Sequence, residues 1–298
     1  MSETTLSVFK TYKLYVGGKF PRSESGRVYE VTDSKGQWLA NAPLGTRKDT
    51  RDAVQAARGA VKGWAGTTAY NRGQVLYRIA EMLQGRREQF AAEVAAAEGI
   101  GTKKAAALVD AAIDRWVWYA GWTDKIAQIA GNTNPVAGPF FNISTPEPSG
   151  VIGVVAPQSG TGFSFLGLVS VIAPAIAAGN TVVVAAAAEA PLPALSLGEV
   201  LATSDLPGGV VNVISGRTAD IAPTLASHQD VNGLDLAGAI ASDGPGAATE
   251  LEVLAADTLK RVLRPELGET DLAWTNAPGT ERLLSFLETK TVWHPMGI

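Results

Sequence analysis

The stretch that most constrains this chain is Pro148–Glu189, PSGVIGVVAPQSGTGFSFLGLVSVIAPAIAAGNTVVVAAAAE. Two runs rich in β-branched residues, Val151–Val155 and Thr181–Val184, are short and apolar throughout, the pattern of parallel strands buried on both faces. Gly160–Gly162 forms a glycine-rich turn, and the apolar segment after it is too long for a strand and stops at Gly179, where a helix C-cap fits. The whole reads as one βαβ unit. A helix that begins after a glycine-rich turn offers free N–H groups and the positive end of its dipole, so a nucleotide phosphate suits the position. The glycines do not follow GxGxxG and no GxxxxGK is present, so a tight turn without a ligand is an equal reading.

Downstream the same alternation continues: helix 193–204, strand Val210–Ile214, helix 218–226, strand Gly233–Leu236, helix 246–258 and strand Arg261–Leu263. Such alternation predicts a parallel sheet covered on both faces, and right-handed crossovers make it doubly wound. Upstream, residues 13–46 read as a β-arm, with a Gly-Gly hairpin signal in KLYVGGKF and a second pairing segment in SESGRVYEV. From Asp49, read as a helix cap, the period becomes 3.6, with Ala53, Val54, Ala57, Ala60 and Val61 on one face. A second helix carries Val75, Leu76, Ile79, Met82 and Leu83, a third covers 86–98 and a fourth spans Lys103–Ala130. Trp116, Trp118 and Trp122 on the fourth are better explained by helix packing than by an aromatic ligand box. FFNIS predicts a short strand outside the main sheet. The closing ETKTVW is strand-like but has no neighbour in sequence to pair with.

Composition removes whole classes of function. The 298 residues are 46% apolar, enough for a large core, and contain no cysteine, which excludes disulfides, thiolate metal sites and a cysteine nucleophile together. His228 and His294 are the only histidines and cannot build a structural zinc site without thiolates. A net charge of −4 with interspersed signs gives no basic footprint for nucleic acid. No apolar run reaches the ~18–20 residues that span a bilayer, and the first residues lack a basic region followed by an apolar one, so the expectation is a cytoplasmic protein with no membrane partner. No GxSxG elbow is present around Ser164.

Taken in order and spacing, EPSGVIGVVAP, IAPAIAAGNTVVV, LPGGVVNVISG, LASHQDVNGLDLAG and LKRVLRPELG resemble the NAD(P)-dependent aldehyde dehydrogenase superfamily. The early VGGKF and the late FLETKTVW are similar to that family's ends. The family is considerably longer, and the missing piece falls between Gly268 and the tail, where the family carries the catalytic domain with its nucleophilic cysteine. The resemblance implies an α/β fold: a Rossmann-like, doubly wound parallel sheet with N-terminal helices and β-strand oligomerisation arms. It divides the chain into an NAD(P)-binding-type domain over 1–268, with an arm strand at 136–150 inside it, a connector over 269–285 and an oligomerisation strand over 286–298.

Carried over residue by residue, the resemblance sets the nucleotide-contacting positions at Pro157, Gln158, Ser159, Gly160, Glu189, Gly216 and Gly238. Ser159 stands where the family has the asparagine that donates to the oxyanion. Ala185 stands at the ribose-binding lysine, Ala188 at the following glutamate with Glu189 one place late, and Leu236–Ala239 at FTGS, which loses a hydroxyl donor to the pyrophosphate. Glu266 resembles the glutamate that activates water for deacylation, a vestigial base with no acyl-enzyme to hydrolyse; its alternative is a solvated carboxylate. The resulting expectation is a protein of oxidoreductase fold that is catalytically incompetent alone. It binds NAD or NADP weakly, requires no cofactor, and serves as a non-catalytic subunit or scaffold for itself or a full-length relative. The alternative is an NAD(P)-dependent oxidoreductase completed by catalytic residues from a partner chain.

Overall fold

A computed structural model describes residues 8–158, 163–239, 245–264 and 273–297. Its centre is a five-stranded parallel sheet in the order β7-β6-β5-β8-β9. The strands are β5 (Val151–Val155), β6 (Thr181–Ala185), β7 (Val211–Ile214), β8 (Gly233–Asp235) and β9 (Arg261–Leu263). β5 and β6 are buried at every position, which is why they read as unbroken apolar runs rather than alternating ones. From β5 the chain winds outward through β6 and β7, then returns to β5's other edge for β8 and β9. The carboxyl ends of β5 and β8 therefore flank the topological switch point, where open α/β sheets bind ligands.

Helices cover both faces. On one face lie α1 (Arg47–Gly66), α8 (Thr218–Ser227) and α9 (Pro245–Ala256), which bury Val54, Ile221, Leu225 and Leu251 against Val151, Val155 and Val183. The other holds α6 (Ser164–Ala177) and α7 (Leu192–Ala202), backed by α2 (Ala69–Gln84), α3 (Arg87–Glu98) and α4 (Thr102–Ala120). α6 ends as its glycine suggests: Gly179 has φ +96°, and Asn180 N donates to Ala175 O at 3.1 Å. Trp116 is buried in the core, as the packing reading of the tryptophans requires.

Three local expectations are corrected. Asp49 does not cap α1: Thr46 does, accepting from Asp49 N at 3.3 Å while Asp49 Oδ2 accepts from Thr46 N at 2.9 Å, a capping box. The same carboxylate accepts from Ser23 Oγ at 2.8 Å and Glu24 N at 2.9 Å, which ties the arm to the helix. The helix expected over Lys103–Ala130 breaks after Ala120, with α5 (Ile126–Ala130) following a turn. There the Thr123 hydroxyl donates to Ala120 O at 3.0 Å, and Gly73 of α2 leaves no room for a side chain, since a Cβ on it would lie 2.8 Å from that hydroxyl.

The tail supplies the third correction. β10 (Leu287–Pro295) has a partner in its own chain, pairing antiparallel with β4 (Phe140–Pro148) from Leu287↔Pro148 to Pro295↔Phe140. β3 (Asn132–Asn134) pairs the other edge of β4. Phe286 and Leu287 are buried in the main core, while Phe141, Ile143, Val292 and Trp293 are exposed on the arm. Near the start, Gly17 and Gly18 both take positive φ in a turn bridged by Val16 and Lys19, and Tyr15 bridges Val213 at the edge of the main sheet. β1 (Val28–Thr32) and β2 (Trp38–Pro43) form an antiparallel pair.

Between the sheet and the tail, the described segment seals against α4 and the sheet. Arg115 donates to the carbonyls of Trp274 and Asn276, and Tyr119 donates to Gly279 O at 3.2 Å. Arg282, on the short helix α10 (Glu281–Ser285), pairs with Asp235 at the end of β8 and lies 5.2 Å over the Trp274 ring. Asp235 is 2% exposed and Arg282 19%, so the pair is largely withdrawn from water. Among the described residues, no helix is long and apolar enough to cross a membrane.

Candidate functional site

The loops after β5 and β8 meet at the switch point, and Gln158 lies between them. Its buried amide donates through Nε2 to Ala156 O at 2.5 Å and accepts through Oε1 from Ala188 N at 3.2 Å, so it staples the loop after β5 to the loop after β6. Gly238 packs on the same group. It donates from N to Val155 O at 2.9 Å, and a Cβ there would run into Ala156 O and come within 3.1 Å of Gln158 Nε2. Only glycine fits so close an approach of two backbones.

The other positions singled out from sequence scatter around this centre. Pro157 packs on α6, where a Cβ at Gly167 would lie 2.6 Å from its Cγ, so it is a packing residue. Glu189 is exposed on the rim beside Ala188, whose carbonyl accepts from Tyr29 Oη at 3.0 Å. Burial pushes the Tyr29 phenol well above its ordinary range, so it is a neutral donor. Gly216, φ +146°, turns towards the arm: a Cβ there would lie 3.1 Å from Gly45 N, and Gly45 N donates to Ser215 O at 2.8 Å. Ala185 is fully buried at the end of β6 and offers no donor. Pro157, Gln158 and Gly238 thus come together, Glu189 borders them, and Gly216 faces another element. Ser159, Gly160 and Glu266 lie outside the described residues.

Two features had not been read from the sequence. Glu98, the last residue of α3, accepts from Ser164 N, the first N–H of α6, at 2.8 Å. An acid is disfavoured at the carboxyl end of its own helix and favoured at the amino end of another, so the contact with α6 offsets the unfavourable end of α3. The anion that meets this end of α6 is therefore a carboxylate of the chain itself. No short-range pattern signals it, because 66 residues separate the partners.

The second feature is an apolar slot of about 160 Å³ between α8 and α9, lined by Thr218, Ala222, Pro223, Ala239, Leu251 and Leu254 among others. Thr218, 5% exposed, has a buried hydroxyl with no hydrogen-bond partner among the described residues. A buried hydroxyl without a partner costs about 1–3 kcal/mol. Among the described residues no group of three His, Cys, Asp or Glu could hold a metal ion.

Known proteins resemble this chain in both sequence and fold. It is 34% identical over 240 residues to retinal dehydrogenase 2 of Gallus gallus, covering 77% of this chain and 44% of that protein. Cytosolic 10-formyltetrahydrofolate dehydrogenase of Pongo abelii is 32% identical over 235 residues, covering 76% of this chain and 25% of that one. Among solved structures, the NAD+ complex of aldehyde dehydrogenase from Bacillus cereus superposes with a TM-score of 0.77 at 25% identity, over 85% of this chain and 50% of that one. The chain spans about half the length, or less, of these relatives. Residues 20–263, which include the whole parallel sheet, match the aldehyde dehydrogenase family, and the chain belongs to that family.

Proposed function

We propose that this chain is a non-catalytic member of the aldehyde dehydrogenase family, of oxidoreductase fold, that works as a subunit or scaffold for itself or for a full-length relative. The observation that carries the reading is the absence of any thiol from its 298 residues. In the resembling family, oxidation of an aldehyde by this route begins with a thiolate that forms the hydride-donating adduct. Losing an activated nucleophile costs several orders of magnitude in rate.

A structural relative binds NAD+, and a dinucleotide is the group the fold suggests, but the residues here do not fit it well. Glu98 occupies the first N–H of α6, Gln158 is tied to the loops on both sides of it, and Ala185 and Ala188 cannot hydrogen-bond a ribose. Ala239 in addition lacks a hydroxyl for the phosphate; each lost hydrogen bond is worth about 1 kcal/mol, so the three losses at Ala185, Ala188 and Ala239 weaken binding on the order of a hundredfold. We therefore take NAD(P) binding to be weak, and derive no chemical step through it.

The partner half of the proposal rests on the arm. β10 and β4 present Phe141, Ile143, Val292 and Trp293 to solvent on a small sheet whose outer edges, β10 and β3, have no further strand among the described residues. Exposed edges and apolar side chains of this kind suit another copy of the same arm. The alternative, an oxidoreductase completed by a partner's catalytic residues, draws on Glu266 and on the glycine-rich turn read from the sequence at Gly160–Gly162.

The test is assay of the purified chain with NAD and NADP against short aliphatic and aromatic aldehydes. No aldehyde-dependent reduction above background is expected. Turnover that survives removal of contaminating enzymes and is lost in Glu266→Ala would overturn the non-catalytic reading in favour of the alternative.

A further inference from the structure

Away from the switch point, a broad groove of about 710 Å³ runs between the amino end of α1 and α8. Five cationic side chains line it, Arg27, Arg47, Lys48, Arg51 and Arg217, against two lining carboxylates, Glu24 and Asp220. This excess of positive charge stands on a chain whose net charge is −4. Lys48 pairs with Asp52 at 2.9 Å and Arg217 with Asp220 at 2.8 Å. The side chains of Arg27, Arg47 and Arg51 make no ion pair or hydrogen bond among the described residues. Three of the five cations that line one concavity are therefore left without an acidic partner among the described residues, although Glu24 and Asp220 also line it.

We propose that this groove is a binding site for a small molecule carrying an oligophosphate, a function separate from aldehyde chemistry and from the scaffold role. Four of the five cations are arginines, whose planar forks match phosphate oxygens two at a time, where lysine would serve as a point charge. The volume falls within the range of roughly 300–1,000 Å³ typical of small-molecule sites. The test of the phosphate site needs no nucleotide.

Inorganic tripolyphosphate is the probe, titrated calorimetrically and by thermal shift at about 30 mM ionic strength, where surface electrostatics is little screened. Binding tighter than about 1 mM is expected, weakening several-fold at about 200 mM salt. The Arg27→Ala/Arg47→Ala/Arg51→Ala variant, altered at exposed positions, should keep its circular dichroism and lose at least tenfold in affinity. Asp220→Asn should bind more tightly than the parent. Citrate, of similar charge but without phosphate geometry, should bind more weakly by fivefold or more. Parent protein that fails to bind tripolyphosphate, a triple variant that binds as well as the parent, or citrate binding of equal strength would each overturn the assignment.

Discussion

Replacing Glu98 separates a structural carboxylate from one that guards an anion site. Ser164 N lies 2.8 Å from Glu98 Oε1, and Ser164 is buried, so an incoming phosphate oxygen must take the same N–H and meet the carboxylate at van der Waals distance. Two unit charges about 4–5 Å apart repel by roughly 1 kcal/mol in a water-like medium and about 4 kcal/mol at an effective dielectric of 20. Glu98 is only half-buried, so the lower part of that range applies. Glu98→Ala should therefore raise the affinity for NADH or pyrophosphate about tenfold. It also removes a helix cap worth about 1 kcal/mol, so the melting temperature should fall by about 2–4 °C. Glu98→Gln keeps an acceptor but not the charge, and should gain affinity with a smaller loss of stability. Fluorescence titration of NADH and differential scanning calorimetry on the same preparations measure the two effects. If both variants bind within twofold of the parent while Glu98→Ala still melts earlier, the carboxylate is a cap and nothing more.

Arg282→Ala leaves the buried Asp235 without its ion-pair partner, and should cost about 3–5 kcal/mol in urea unfolding, whereas the Asp235→Leu/Arg282→Met double variant should recover most of the loss. Hydrogen exchange at 273–285 should rise in the single variant if that pair holds the segment down. Trp293→Asp with Ile143→Asp should convert an oligomer to monomer by light scattering without unfolding it; deleting 286–298 is the poorer experiment, because Phe286 and Leu287 belong to the core. Burial, chiefly, and nearby Lys260, Arg51 and Arg58 lower the pKa of His228 against an opposing Asp230. Its neutral form is favoured in the folded state, so stability is full above the unfolded value of about 6.5 and declines as pH falls through and below it, a slope that His228→Asn should flatten.

The parallel sheet was legible because burial on both faces leaves a local mark: uniform apolar runs at Val151–Val155 and Thr181–Val184, separated by a segment only a helix can accommodate. The family was legible in the order of short motifs, and the lost chemistry in a composition without cysteine. Element boundaries were less so. Asp49 looks like a cap because acids favour that position, but the arm's Ser23 and Glu24 converge on it and leave the cap to Thr46. The tail's own residues do not name its partner; the resemblance pointed to the segment Phe140–Ser144, and only the fold put that pairing within one chain, from Leu287↔Pro148 to Pro295↔Phe140. At the candidate site, the resemblance singled out Pro157, Gln158 and Gly238, and the structure brings Gly238 against Gln158 because the strands they follow end at the switch point. It could not place Gly216 against Gly45, Glu98 on α6, Arg282 on Asp235, or the arginines of α1 beside Arg217. Those contacts join residues far apart in the chain, and their energies come from charge and close packing at distances that only the assembled fold sets.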